Sequence, residues 1–338
     1  MRAVVIERPG VARLAQVAIP EPGPGEVMVS VAAAGICGSD LEILRGQRPE
    51  PFVRYPIVPG HEWAGVVADV GAGVQGVAAG DRVVAEGFRS CGVCDRCREG
   101  RTNLCQSEYA ETGFTHQGAF AEYVSVPARL VHKLPADSDL APAALIEPAA
   151  CVAEGLLAVN LRPDLRIAVV GAGTLGLIAV AILSLTTPAR LAVVGSRPAR
   201  LALARRLGAT DTYDANADAL DSLHDSFDLV FEAANRPAGA VTALMLGRRG
   251  GTVVLEGISG KTAPAIWPDL ITLKHLEVRG IFGASGKAWS YAVELYAGGR
   301  LPLGELISHR FALEDFQSAF DTLADRTGRA VKVQLLPR

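Results

Sequence analysis

Long runs of one charge are missing from this 338-residue chain. Its 33 Lys and Arg stand against 36 Asp and Glu, a formal net charge of −3. No block of basic residues is long enough to make a phosphate-binding stripe, which argues against nucleic acid as a partner. The opening MRAVVIERPG lacks a basic-then-apolar leader and a small-residue cleavage site, so a cytoplasmic protein is expected. Internal repeats and low-complexity tracts are also missing. A composition that is 49% hydrophobic and 20% charged is that of a globular chain, and the length suits two domains. One apolar run, from Ile167 to Leu185, approaches the length that spans a bilayer. Its glycines and mid-chain position fit a buried strand and helix better, and no membrane partner is expected.

Cysteine is scarce, yet four of the six lie in one short stretch. Cys91, Cys94, Cys97 and Cys105 read C-x2-C-x2-C-x7-C. Four thiolates on one loop close a tetrahedral shell around zinc and leave no position open for water. Two disulfides would use the same cysteines, but this spacing in a cytosolic chain more often binds metal. An iron–sulfur cluster is the sharper rival, since C-x2-C-x2-C opens the bacterial ferredoxin run. That run continues x3-C-P, whereas here seven residues intervene and Gln106 follows. The ligand rules favour structural zinc.

Strand-like segments dominate the first part: Ala3–Ile6, Glu26–Ala34, Trp63–Val70, Arg82–Ala85 and Phe120–Val126, separated by glycine-rich turns. They suggest a compact β-barrel-like domain. From about Leu145 the pattern changes to strands (Ile167–Val170, Leu191–Val194, Phe227–Glu232, Thr252–Glu256, Glu277–Phe282) alternating with helices, one of them Arg200–Leu207. That alternation implies a parallel sheet. Beyond Ser285 come a helix over Ala288–Ala297, the LEDFQSAFDTLA helix and a last strand, Ala330–Leu335.

Gly171-Ala172-Gly173-Thr174-Leu175-Gly176 is G-x-G-x-x-G, after a strand and at the start of a helix, the context a dinucleotide site requires. Gly171 permits the tight turn, Gly173 lets the backbone approach a pyrophosphate, and Gly176 allows close helix–strand packing. NAD sites carry an Asp or Glu about 20 residues on, for the ribose 2′-hydroxyl. This chain has Gly195-Ser196-Arg197 there and no carboxylate. Gly195 makes room for a 2′-phosphate, Ser196 can hydrogen-bond it and Arg197 supplies charge, so NADP is expected over NAD.

A second, mixed ligand set surrounds the cysteine cluster in sequence: Cys37, the pair His61 and Glu62, and Glu147. Cys37, His61 and one or both glutamates would give zinc an S, N, O shell with one position open for a substrate oxygen. Taken singly these residues are weak signals, since a lone cysteine is usually packing.

Together the motifs resemble the zinc-dependent medium-chain dehydrogenases, over essentially the whole length. The similarity lies in P-E-P-G-P-G-E-V, C-G-S-D, P-G-H-E, the turn Gly80-Asp81-Arg82-Val83, the four-cysteine lobe, G-A-F-A-E-Y, Glu147-Pro148 and G-A-G-T-L-G. It is strongest to the sorbitol, threonine and butanediol dehydrogenase branch. The resemblance implies an α/β plus β architecture: a GroES-like β-barrel catalytic domain (1–148), a Rossmann domain with a doubly wound parallel sheet (149–285), and a return to the catalytic domain (286–338). It implies two zincs per chain, Cys37, His61 and Glu62 around the catalytic one, and Glu147 as a direct or water-bridged ligand. Ser39 takes the substrate proton and Asp40 orients the histidine. Where many relatives carry an outer-relay histidine, this chain reads Leu41-Glu42-Ile43, so Glu42 or water fills that role. Gly257, Ile258, Ile281 and Phe282 are expected near the nicotinamide, and Arg200 near the adenosine ribose. Phe88, Tyr109, Phe114 and Ile258 are candidates for the substrate pocket.

The expected activity is hydride transfer between NADP and a secondary alcohol or polyol, or the matching ketone, by a homodimer or homotetramer. A zinc-free reductase on the same fold would leave the ligand sets unexplained. So would a non-catalytic scaffold that binds NADPH.

Overall fold

The computed structural model describes residues 1–258, 266–325 and 330–337. The chain divides into two compact units. The first holds Met1–Ala150, Ala284–Gly299 and Leu303–Arg338; the second holds Cys151–Gly283 and Arg300–Pro302.

In the first unit the long strand Glu26–Ile36 is the organising element. It pairs antiparallel with Glu62–Val70 on one side, and with Lys332–Leu336 and Tyr123–Pro127 on the other. Arg82–Ala85 and Val131–Lys133 extend the sheet beyond Glu62–Val70, and Ile307–Ala312 joins the far edge parallel to Lys332–Leu336. Val27, Val29 and Val31 alternate into a core that also holds Trp63, Val83, Phe120, Val333 and Leu335. The period of two is what a half-buried strand requires. Phe120 is fully buried and meets Phe320 edge-on at 6.1 Å. Burying one such ring contributes about 1.5–3 kcal/mol. The helix Gly286–Ala297 returns to this unit through Trp289, stacked on His132 at 5.7 Å, and Tyr296, whose hydroxyl donates to the Asp139 carbonyl.

The second unit is a six-stranded sheet in which every neighbouring pair is parallel. Its order is Asp211–Asp214, Arg190–Gly195, Arg166–Val170, Phe227–Glu232, Gly247–Leu255, Glu277–Gly280. Chain order reverses beside Arg166–Val170, and such a switch point is where parallel sheets of this kind bind ligands. The apolar run Ile167–Leu185 resolves into the strand Arg166–Val170 and the helix Thr174–Ser184. No helix among the described residues is long and apolar enough to cross a membrane.

Several strands differ from expectation at their ends: the one expected over Thr252–Glu256 spans Gly247–Leu255, and the one expected over Ala330–Leu335 spans Lys332–Leu336. The segment expected over Phe120–Val126 begins at Tyr123, because Ala119 and Phe120 hydrogen-bond to the Pro59–Gly60 turn instead. The one expected over Glu277–Phe282 ends at Gly280, and Phe282 is exposed.

Candidate active site and nucleotide loop

Cys37 follows the strand Glu26–Ile36 and caps the helix Gly38–Arg45. Its amide donates to Asp40 Oδ2 at 2.8 Å, which fixes both residues at the helix start. His61 and Glu62 open the next strand. Gly60 turns the chain there with φ +98°, in the left-handed region that favours glycine, and a Cβ at Gly60 would lie 2.8 Å from the Phe120 nitrogen. Gly113 and Gly118 cross the same point: their Cβ atoms would stand 2.9 and 2.5 Å from the Gly60 carbonyl oxygen. Gly35 sits opposite Glu62 in the ladder, and any side chain there would run into the Glu62 carboxylate.

One ligand atom each from Cys37, His61 and Glu62 lies within 4.8 Å of the others. His61 and Glu62 are buried and Asp40 is fully so. His61 Nδ1 faces Asp40 Oδ1 at 3.7 Å. Burial works against a charged imidazolium, but Asp40 and Cys37 outweigh it and hold the His61 pKa well above its ordinary value. Ser39 Oγ, Asp40 Oδ1 and His61 Nδ1 are buried atoms without a hydrogen bond among the described residues. Orphaned polar atoms around a sulfur, nitrogen and oxygen donor set are what a metal and a bound oxygen ligand would satisfy. Glu147 begins the helix Ile146–Leu157 outside this three-atom cluster, and its charge bears on Glu111 and Lys332. Glu42 is not bonded to Ser39. It turns toward Arg48, 3.5 Å away, whose guanidinium lies 4.2 Å above the Phe114 ring.

Two residues of this corner were not foreseen from the sequence. Lys332 is buried, and its Nζ donates to both Glu62 oxygens, at 2.7 and 2.5 Å, and to the Ile36 carbonyl at 3.3 Å. Burial would lower its pKa, and Glu62 and Cys37 more than reverse that. The signal was there: one lysine inside the apolar strand VKVQLL. Glu111 is buried on the loop after the cysteine lobe and gives no periodic signal. Burial pushes its carboxyl up to about 8, against the charges of His61 and Arg48 and with those of Glu147 and Asp40. Phe114 packs on His61 with ring centres 4.7 Å apart, and Tyr109 lies edge-on to Phe88 at 5.9 Å.

Cys91, Cys94, Cys97 and Cys105 also bring one sulfur each within 4.8 Å of one another. All are free thiols, and the sulfur pairs stand 3.9 Å (Cys91–Cys97) and 4.0 Å (Cys94–Cys105) apart, far beyond a disulfide. Ser107 and the amides of Val93 and Cys94 lower the Cys91 thiol to about 5, so a thiolate forms readily there.

In the second unit Gly171 has φ +106°, and a Cβ would meet the Ala234 backbone at 2.7 Å. A Cβ at Gly176 would run into the Gly171 carbonyl oxygen, whereas at Gly173 nothing lies within 4 Å. Gly173 caps the helix Thr174–Ser184, whose N-terminus is the kind of position that favours a phosphate. Gly195 ends the strand Arg190–Gly195. It is buried, and a Cβ there would meet Ala172 at 2.8 Å and Leu201 at 3.1 Å, so a glycine is required for packing at this position. Ser196 and Arg197 are half-buried beyond it, with Arg197 capping the helix Pro198–Arg206. Arg200 lies close enough to Arg197 that this charge, after burial, lowers its pKa. Gly257 donates to the Glu232 carbonyl, and Ile258 and Phe282 are exposed. Ile281 packs toward Gly155 instead.

Residues 23–136 match the model of the alcohol dehydrogenase GroES-like domain, and residues 174–298 that of the zinc-binding dehydrogenases. The chain is 34% identical to an L-threonine 3-dehydrogenase of Bacillus velezensis, over 96% of its own length and 95% of that protein's. It is a zinc-dependent medium-chain dehydrogenase. Among solved members of the medium-chain dehydrogenases it is similar to a zinc-binding dehydrogenase of Sinorhizobium meliloti 1021 bound to NADP, at 31% identity and a TM-score of 0.91, covering 99% of both chains. A dehydrogenase of E. coli CFT073 complexed with NADH is as similar in fold, at 29% identity, TM-score 0.91 and 99% of both chains.

Proposed function

We propose that this medium-chain dehydrogenase prefers NADP(H), binds two zincs per chain, and oxidises a secondary alcohol or polyol or reduces the matching ketone. The observation that carries the reading is the Cys37–His61–Glu62 donor set beside the orphaned buried atoms of Ser39 and Asp40. When bound, zinc would polarise the substrate oxygen and NADP would accept the hydride. Cys37 and His61 would hold the metal. Asp40 Oδ1 faces His61 Nδ1 at 3.7 Å, and a bond between them would orient the ring with Nε2 left for the metal. Ser39 Oγ takes the substrate proton and passes it to solvent. Lys332 neutralises Glu62 and holds both its carboxylate oxygens, and Glu62 or Glu147 would complete the shell when the metal is bound. The cysteine lobe carries the second zinc, with no position open for chemistry.

NADP preference rests on the missing carboxylate after Arg190–Gly195 and on the two neighbouring cations, Arg197 and Arg200. Six free thiols suit a reducing compartment such as the cytoplasm. Self-association as a homodimer or homotetramer is supported by the edge strand Glu277–Gly280 and by the nearby Trp267 and Leu273, 75% and 71% exposed. Elemental analysis of protein purified without chelator, with NADPH and NADH compared at saturating alcohol, tests the proposal. Two zincs per chain and better use of NADPH support it. One zinc, or a tenfold preference for NADH, counts against the corresponding part.

A further inference from the structure

We propose that Glu111 is a specificity-determining residue that receives a second hydroxyl of the substrate, so that polyols are favoured over monohydric alcohols. The proposal rests on the dehydrogenase reading above and names its substrate class. The Glu111 backbone is held firmly. Its carbonyl accepts from Phe114, Thr115 and His116, and its amide donates to Thr115 Oγ1 at 2.9 Å. Three residues on, Phe114 packs on His61, so this turn is anchored to the candidate metal corner. The residue is 6% exposed. Tyr109, braced edge-on by Phe52 and Phe88, donates its hydroxyl to Oε2. No hydrogen bond reaches Oε1 among the described residues, and it stands over Gly87, where a Cβ would come within 3.2 Å. A glycine at 87 thus keeps the space beside that oxygen open.

Oε1 thus accepts no hydrogen bond among the described residues and yet is not one of the fully enclosed polar atoms, so a substrate donor can reach it. A monohydric alcohol has its one hydroxyl committed at the metal corner and leaves Oε1 as it was. A hydroxyl also suits the site better than an ammonium. It can donate to the carboxylate or accept from the neutral acid, and burial favours the neutral form.

The test compares kcat/KM for sorbitol and 2,3-butanediol with that for 2-butanol in the zinc-loaded holoenzyme, and adds 3-amino-2-butanol. In Glu111→Leu the polyol-to-monohydric ratio should fall about tenfold or more, mainly through KM, because a site built for a hydroxyl loses that discrimination with its acceptor. Glu111→Gln, which keeps an acceptor, should recover part of it. Tyr109→Phe, which frees Oε2 without removing the carboxylate, should lower the ratio less than Glu111→Leu and serves if that variant does not fold. An unchanged ratio in folded Glu111→Leu, or a wild-type preference for the amino alcohol that Glu111→Gln abolishes, would overturn the proposal. If no alcohol is turned over at all, the dehydrogenase reading fails on its own. Calorimetric titration of sorbitol into wild type and Glu111→Leu then decides the Glu111 assignment, with equal heats counting against it.

Discussion

The buried pair of Lys332 and Glu62 is the sharpest single-residue feature of the first unit. Both partners are nearly sealed from water, so neither charge survives well alone. Lys332→Met should destabilise this unit by about 3–5 kcal/mol, because it strands a buried carboxylate. Denaturant unfolding measures that loss, and the double variant Lys332→Met/Glu62→Gln should recover much of it. A single variant as stable as wild type would show that Glu62 finds another partner. Gly60 is the second such position. Gly60→Ala forces a Cβ toward the Phe120 backbone at a positive φ. It should cost both stability and zinc retention, because the residue after the turn is His61. Thermal melting and elemental analysis on one preparation would register both.

At the scale of elements, the proposed NADP preference is tested just after the second strand of the nucleotide unit. Arg197→Ala should reduce the NADPH-to-NADH ratio of kcat/KM by about tenfold, the worth of one charge-assisted phosphate contact. Steady-state kinetics with both nucleotides checks this. The opposite end of the same sheet carries a pH dependence. Asp228 accepts from the Arg166 amide at 2.8 Å and pairs with the Arg248 side chain. Burial would raise its pKa, but these partners prevail and hold it below the ordinary value. Its stabilisation is therefore complete above the usual carboxylate range near about 4 and drains away as pH falls through the lower folded pKa. Asp228→Asn should flatten that acid limb of the stability profile. Elements were legible where one face or one turn dictated them. The strand Phe227–Glu232 and the glycine loop declare themselves by apolar runs and glycine spacing. The helix Pro237–Leu246 did not, because alanine, glycine and threonine leave it no clear polar face. The packing of Ala172 and Leu201 against Gly195 was not legible, because only tertiary structure brings them together.

Across the whole molecule, the cysteine lobe and the Cys37–His61 corner should respond differently to loss of a ligand. Cys94→Ser should lower the melting temperature and remove one zinc. Cys37→Ser should remove the other and abolish turnover with little change in melting. If both variants lost both zincs, the two sites would be one cooperative unit. That the four cysteines cluster, and that Cys37 meets His61 and Glu62, was legible because thiol and imidazole are rare and their spacing is restrictive. Glu111 and Lys332 were not, because a glutamate on a loop and a lysine in a strand acquire meaning only once the chain brings them to that corner. The crossing of Gly60, Gly113 and Gly118 has a wider consequence. It joins two kinds of residue at a fixed point: His61 leaves one strand of the crossing, and Phe114 and Glu111 flank the other. Side chains on the second strand can be exchanged without moving the backbone that carries the first. A lineage built on this crossing can therefore change which alcohol it accepts by single substitutions while its reaction stays the same, and laboratory evolution of substrate range should begin at 109, 111 and 114.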